Sequence, residues 1–310
     1  MSSVRMPKLI NYGKKDMHKE TALITIFMLS ITIFFIFYSN VLQDVPALGS
    51  VVSSNYLSDE MLALFRTLCA ILSLVTLLWV VLDPKGSPDY PLYYEERINR
   101  KRHSSGITRL AAFTMWHFGL FGMSFAISAI ASWIHISGNE VPTWMLISSP
   151  ALFATSYSCA ILVTFVVSFH IIDNELARGN NIDHLFYWYE IVMHNLNVII
   201  LGAALIINNM EIDWRYFSLP IIFGITYVFW ARLYVILAGV YIYNFLDPRL
   251  KGAPLIHTIL LIFLTFAFVI VMFFEKLVNW NIYIGSLFII LFTCSIIKIK
   301  QPEYINDMLH

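Results

Sequence analysis

The sequence predicts an all-α fold, a polytopic integral membrane helix bundle with about eight transmembrane helices and both termini in the cytosol. Three observations predict it. Hydrophobic residues make up 58% of the 310 positions and charged residues only 13%, with a mean hydropathy of +0.71, whereas a soluble domain is about a quarter charged. The apolar residues gather in runs of bilayer length, for which about 20 residues are needed. Lys and Arg, finally, alternate between successive connecting segments, as they do when basic segments stay in the cytosol.

The runs span residues 21–42, 61–82, 108–133, 144–172, 182–207, 216–245, 255–274 and 277–297. The N-terminal tail, the segment from Lys85 to Arg102, the turn with Arg178, the loop with Arg249 and Lys251 and the end with Lys298 and Lys300 are basic. The alternate loops carry Asp44, Asp59, Glu60, Glu140, Glu211 and Asp213, with Arg215 and Lys276 as their only basic residues. The last two runs are divided only at Glu275-Lys276, which reads either as a tight hairpin or as a re-entrant excursion. The chain then divides into a basic cytosolic tail at 1–20, a single transmembrane domain at 21–298 and a cytosolic tail at 299–310. No apolar stretch precedes the basic tail's end, so the first membrane helix acts as its own insertion signal. The Tyr-, Pro- and charge-rich segment 83–107 reads either as lying along the cytosolic headgroups or as a solvated loop. Pro150, inside the fourth run, is a candidate kink.

Composition also excludes. A net charge of zero argues against nucleic acid, whose binding rests on neutralised phosphates. Cys69, Cys159 and Cys294 lie far apart in apolar runs and read as buried small hydrophobes. The histidines show no His-x-x-x-His spacing, so neither a metal nor another cofactor is expected. There is no internal repeat to support an inverted-repeat transporter.

Polar groups at bilayer depth are costly and point to a site. In the fifth run Asp183, Tyr187, Glu190, His194 and Asn197 recur at spacings of four, three, four and three, within an arc of about 80° on one helix face. His194 lies about 18 Å from the run's start. In the third run Thr114, His117, Ser124, Ser128 and Ser132 share a face, with Thr114 about 10 Å deep. A Thr hydroxyl beside an imidazole makes a nucleophile and base pair; the alternative is an interhelical hydrogen-bond network without catalysis. Arg66 and Arg232 are buried charges in need of partners, and depth suggests that Arg232 pairs with Glu190.

The stretch Glu190-Ile-Val-Met-His194-Asn-Leu-Asn197, with Tyr227-Val-Phe-Trp230, Gly239-Val-Tyr241-Ile-Tyr-Asn-Phe-Leu246-Asp247 and the upstream Phe113-Thr114-Met-Trp116, resembles the androgen-induced and androgen-dependent membrane hydrolase family and its Rolling stone-like branch. The likeness covers about residues 61–274. It implies intramembrane hydrolysis of fatty acid esters of hydroxy fatty acids, with Thr114 matching the family's threonine and His194 its histidine. Glu190, Ile191 and Asn195 stand where the hydrolase branch has Asn-His and Thr, and His194 with Asn197 is similar to the His-x-x-Asn of the Rolling stone-like branch. On this basis Thr114 is expected to attack an acyl ester taken from the bilayer and His194 to act as base. Glu190, Asn197, Arg232, His117 and Tyr187 are expected in support, Asn197 as donor to the oxyanion. The alternatives are a non-enzymatic multipass protein with a cell-surface, fusion or scaffold role, and a transporter. The expected setting is the plasma membrane or the endoplasmic reticulum.

Overall fold

A computed structural model describes residues 8–300; the first part of the expected N-terminal tail and most of the C-terminal one lie outside the described residues. In chain order the helices are α1 (His18–Ser39), α2 (Leu48–Val52), α3 (Asp59–Leu82), α4 (Phe113–Ile136), α5 (Thr143–Val166), α6 (Ile172–Ala177), α7 (Trp188–Ile191), α8 (Asn197–Ile207), α9 (Ser218–Ala238), α10 (Ala253–Trp280) and α11 (Ile282–Ile296). One π turn, Val167–Ile171, joins α5 to α6, and a second, Val192–Leu196, joins α7 to α8. Among the described residues seven helices are therefore long and apolar enough to cross a membrane. The chain is a multipass helical membrane protein.

The eighth expected span is shorter than the others. α11 has 15 residues, about 22 Å at 1.5 Å per residue, against a hydrocarbon thickness of about 30 Å. Its expected boundary at Glu275-Lys276 is not a break. Glu275 is buried on α10 and accepts from Asn279 Nδ2 at 2.5 Å, and the helix runs on to Trp280. The turn falls at Asn281, whose side chain accepts from the amides of Tyr283 and Ile284 and caps α11.

Helix α1 shows which solvent the surface is built for. Its buried residues are Thr21, Thr25 and Thr32, while Leu23, Phe27, Phe34 and Phe37 point outward. A water-facing helix does the reverse. Each threonine donates back to the carbonyl four residues earlier, at 2.8, 2.9 and 2.6 Å, which hides the hydroxyl and lets neighbours approach. The span from α5 through α6 is the most buried. Its inner residues are small, Ser149, Ala154, Ser156, Ser158 and Ala160 among them, so α4, α8, α9 and α10 all pack against it. Pro150 is accommodated inside α5 without ending it. Cys69 and Cys159 are buried as expected, but Cys294 is exposed on α11.

Segment 83–107 is neither a plain loop nor helical. It forms β1 (Ser87–Asp89), β2 (Leu92–Tyr93), β3 (Ile98–Asn99) and β4 (Arg102–Ser104), and β5 (Val240–Tyr241) follows α9. β1 pairs with β4, and β2 pairs with both β3 and β5, all antiparallel. The all-α expectation thus misses a small β roof over one end of the bundle. Gly239, at φ 72°, ends α9 in the left-handed conformation and turns the chain into β5. The N-terminal segment is tied to this roof. Tyr12 donates to Asp247 Oδ2 at 2.9 Å and bridges Leu250, the Lys251 amide donates to the Asn11 carbonyl, and Arg97 reaches Asp16 at 2.9 Å. Asp247 also takes three donors from Arg249, its backbone amide, Nε and Nη2, and the guanidinium lies 3.7 Å from the centre of the Tyr94 ring. At the other end of the chain Lys298 exchanges two hydrogen bonds with the Asn195 side chain and pairs with Asp173. Both described ends of the chain therefore meet the same, basic end of the bundle.

Toward the opposite end, Arg66 is fully buried among neutral partners. It donates to Ser132 Oγ at 2.7 Å and to Asn208 Oδ1 at 2.6 Å, which assigns Ser132 of the α4 stripe to a structural role. α3 and α4 approach closely at Gly122, where a Cβ would overlap the Ser73 hydroxyl, itself bonded to the Phe118 carbonyl at 2.7 Å. Gly122→Val is expected to cost about 1–3 kcal/mol by overpacking, read as a lower thermal midpoint of the detergent-solubilised protein; an unchanged midpoint would contradict this register of α3 on α4.

Candidate functional site

Thr114 is the second residue of α4, because the chain before it is a 3-10 turn, Gly106–Ala111, closed by an extended Ala112. It therefore stands in the first helical turn and not about 10 Å down a helix. First-turn amides have no partner within a helix, and Tyr243 lines the cavity wall beside Thr114. Thr114 itself is 5% exposed.

The fifth span also starts later than its hydropathy suggests. Asp183–Phe186 is a 3-10 turn and Tyr187 is extended, so α7 begins at Trp188. His194 is then about 9 Å into the helix, on the same end of the bundle as Thr114. Asp183 and Tyr187 leave the predicted stripe: Asp183 bonds Asn181 in the loop and Tyr187 is 42% exposed. From Glu190 on the stripe is carried through the π turn Val192–Leu196. Glu190 Oε2 lies 3.5 Å from His194 Nε2. His194 Nδ1 is buried and has no hydrogen-bond partner.

A π turn shifts one carbonyl out of the usual ladder, and in hydrocarbon that carbonyl must find another donor. Asn197 supplies it. Its Nδ2 donates to the Met193 carbonyl at 2.5 Å and its Oδ1 accepts from the Val198 amide at 2.6 Å. Thr164 Oγ1, from α5, donates to the His194 carbonyl at 2.5 Å. Asn197 thus faces its own backbone, which removes it from the oxyanion role expected of it.

Thr114, Glu190 and His194 line one cavity of about 200 Å³ at the basic end. Its wall also holds His170 of the first π turn, with Asn174 Nδ2 3.2 Å away, and His184. Burial holds His184 below the ordinary imidazole range although Asp183 and Asp89 oppose this, so it is neutral at pH 7. The wall's carboxylates Asp89 and Glu175 are taken up by Arg102 and by Arg178 with Asn180. Arg109, 6% exposed, donates from Nη1 to the Val80 carbonyl at 2.7 Å, stacks 4.9 Å from the Tyr189 ring centre and leaves Nη2 without a partner. A second, apolar cavity of about 70 Å³ lies against Leu162, Val163, Gly224 and Leu261. The two share Thr114, Val167, Ile171, Tyr243 and Phe245 as walls, so Thr114 stands where a polar chamber meets an apolar one.

Besides Tyr187 and Asn197, two further predicted supports lie outside the cavity. Arg232 does not meet Glu190: it donates to the Tyr241 hydroxyl at 3.2 Å and lies over the Tyr94 ring. Arg109 is the cation whose field reaches Glu190. Equal depth on two helices says nothing of the direction each side chain takes, and that is why the pairing fails. His117 is fully buried between α4 and α5, donating to the Ser156 carbonyl at 3.1 Å, and does not line the cavity. Arg109 and Tyr243 are the residues that sequence reasoning missed. Both sit in short irregular segments flanking α4 and β5, and the available signal was proximity in sequence to Thr114 and inclusion in the Gly239–Asp247 stretch. Among the described residues no group of three or more His, Cys, Asp or Glu side chains converges so as to hold a metal.

Comparison of the chain with protein-family models, with curated proteins and with solved structures returns no match.

The π turn gives a direct expectation. Asn197→Leu or Thr164→Val leaves a buried carbonyl short of its donor and is expected to cost about 1–3 kcal/mol, measured as a fall in the thermal midpoint. Thr226→Val, whose hydroxyl bonds within its own helix at an exposed site, is the control expected to change little.

Proposed function

We propose that the chain is a lipid ester hydrolase of the membrane interior, acting on fatty acid esters of hydroxy fatty acids or similar acyl esters, with Thr114 as nucleophile and His194 as base. One observation carries the reading: Thr114 and His194 line the same chamber, and Thr114 is also a wall of the apolar cavity beside it. An amphiphilic ester fits that division, its acyl chain on the apolar side and its polar end toward Arg109 and the histidines. The reaction follows from the groups present. Thr114 Oγ1 bonds to the ester carbonyl carbon while His194 takes its proton. The carbon–oxygen bond to the alcohol then breaks and His194 returns the proton to the leaving alkoxide. Water repeats the sequence on the acyl-threonine and releases the acid. Glu190, 3.5 Å from His194 Nε2, orients the ring and offsets its charge once protonated, a separation that tightens when substrate is bound.

Purified protein is expected to hydrolyse long-chain acyl esters and to be labelled by a fluorophosphonate. Thr114→Ala and His194→Ala should lose both with helical content and expression unchanged; undiminished labelling of Thr114→Ala rules out this nucleophile. A non-enzymatic surface or scaffold role is the second reading, favoured by the purely structural use of Asn197 in the His194-x-x-Asn197 pattern. It predicts neither turnover nor labelling in the unaltered protein.

The orientation that goes with this function puts the basic end and both termini in the cytosol, with α11 completing an eighth pass, in the plasma membrane or the endoplasmic reticulum. In a cysteine-free background, a single cysteine at Lys85 is expected to react with an impermeant maleimide only after the cytosolic face is opened. One at Asn139 should react from the other side. The reverse pattern overturns the orientation.

A further inference from the structure

We propose that the phenol of Tyr243 is the catalytic donor that stabilises the oxyanion formed when Thr114 attacks its ester, the part that Asn197 does not play. The proposal rests on the hydrolytic reading above. Tyr243 lines the polar and the apolar cavity at their shared wall. Thr114 is part of that same wall, and the Thr114 side chain and the Phe113 and Thr114 backbone act on the phenol as hydrogen-bonding neighbours. A carbonyl carbon bonded to Thr114 Oγ1 therefore has its oxygen beside the phenol and beside the first-turn amides of α4, where the helix dipole also favours negative charge. The base lines the same chamber: His194 is 5% exposed and its Nδ1 is buried with no hydrogen-bond partner.

The phenol is held in place before substrate arrives. β5 pairs with β2, the Asn244–Leu246 turn follows at once, and the ring of Tyr243 packs on Phe245 and Tyr227, with centroids 5.4 and 6.2 Å apart. Burial raises the phenol above its ordinary range, more than the Thr114 hydrogen bonds lower it, so it keeps its proton at pH 7 and donates without losing it. As the carbonyl π pair moves onto oxygen, Tyr243 Oη–H hydrogen-bonds the new anion. When the pair returns and the alkoxide leaves, the phenol is unchanged. Preorganised donors of this kind need no reorganisation during the step.

The test uses the full-length protein in detergent with 4-methylumbelliferyl oleate. Tyr243→Phe keeps the ring and removes the donor; kcat is expected to fall about 100-fold, the usual effect of losing one oxyanion donor, with KM and the thermal midpoint little changed. A kcat within threefold of the unaltered protein, while Thr114→Ala is inactive, overturns the proposal and leaves the hydrolase reading standing. Absence of turnover and of fluorophosphonate labelling in the unaltered protein overturns both. Should Tyr243→Phe fold poorly, 3,5-difluorotyrosine at position 243 keeps the shape and makes the phenol more acidic. An alkaline fall in kcat is then expected at lower pH than in the unaltered protein, and an unmoved profile counts against the role.

Discussion

In hydrocarbon a backbone carbonyl that loses its helical partner has no water to replace it, and the basic end of this protein is arranged around that constraint. The fifth span carries a π turn through His194. Such a turn is sustained only because Asn197 sits between the Met193 carbonyl and the Val198 amide and Thr164 reaches across from α5. With the backbone satisfied in this way, His194 sits on a widened turn in the chamber wall, Nε2 near Glu190 and Nδ1 buried without a hydrogen-bond partner. The neighbouring span repeats the device at Val167–Ile171, and His170 lines the same chamber. Polar side chains that look from sequence like chemistry thus divide into two kinds: those that repair the ladder and those released by the repair.

The same division explains what the sequence discloses. The spans are legible because hydrophobicity and charge alternation are averages over many residues, and no single side chain decides them. Their ends are not, because a few residues decide those. Leu185 and Phe186 extend the apolar run at 182–207, yet the chain there is a 3-10 turn and α7 starts only after an extended Tyr187. Glu275-Lys276 looks like a loop, yet Glu275 is folded in beside Asn279 and the helix continues. The strands of the roof have two or three residues each, too few to show a period of two.

The candidate site was readable in proportion to how local its evidence is. Glu190 and His194 are one turn apart on one helix, and the structure keeps them near each other. Thr114 and His194 both lie nearer the bundle's end than hydropathy places them, because both helices start later than their apolar runs, and so they line one chamber. Arg232 and Glu190 share only their depth on different helices, and the Arg232 side chain turns instead to Tyr241 and Tyr94. Tyr243 belongs to a loop whose place is set by β2, 147 positions earlier in the register Tyr93 with Val240, and nothing in its own neighbourhood announces that.

The roof has a consequence for how the molecule comes into being. Tyr12 and Asp247 are separated by 235 positions, and β2 waits for β5. Chains are made from the N-terminus at about 5–20 residues per second, so the lid over the polar chamber cannot assemble until nearly the whole membrane domain has left the ribosome. Until then β1 can pair with β4 and β2 with β3 within their own segment, but β2 lacks β5 and Tyr12 lacks Asp247, and the chamber, whose walls include Tyr243 and Phe245, closes only when that late segment arrives.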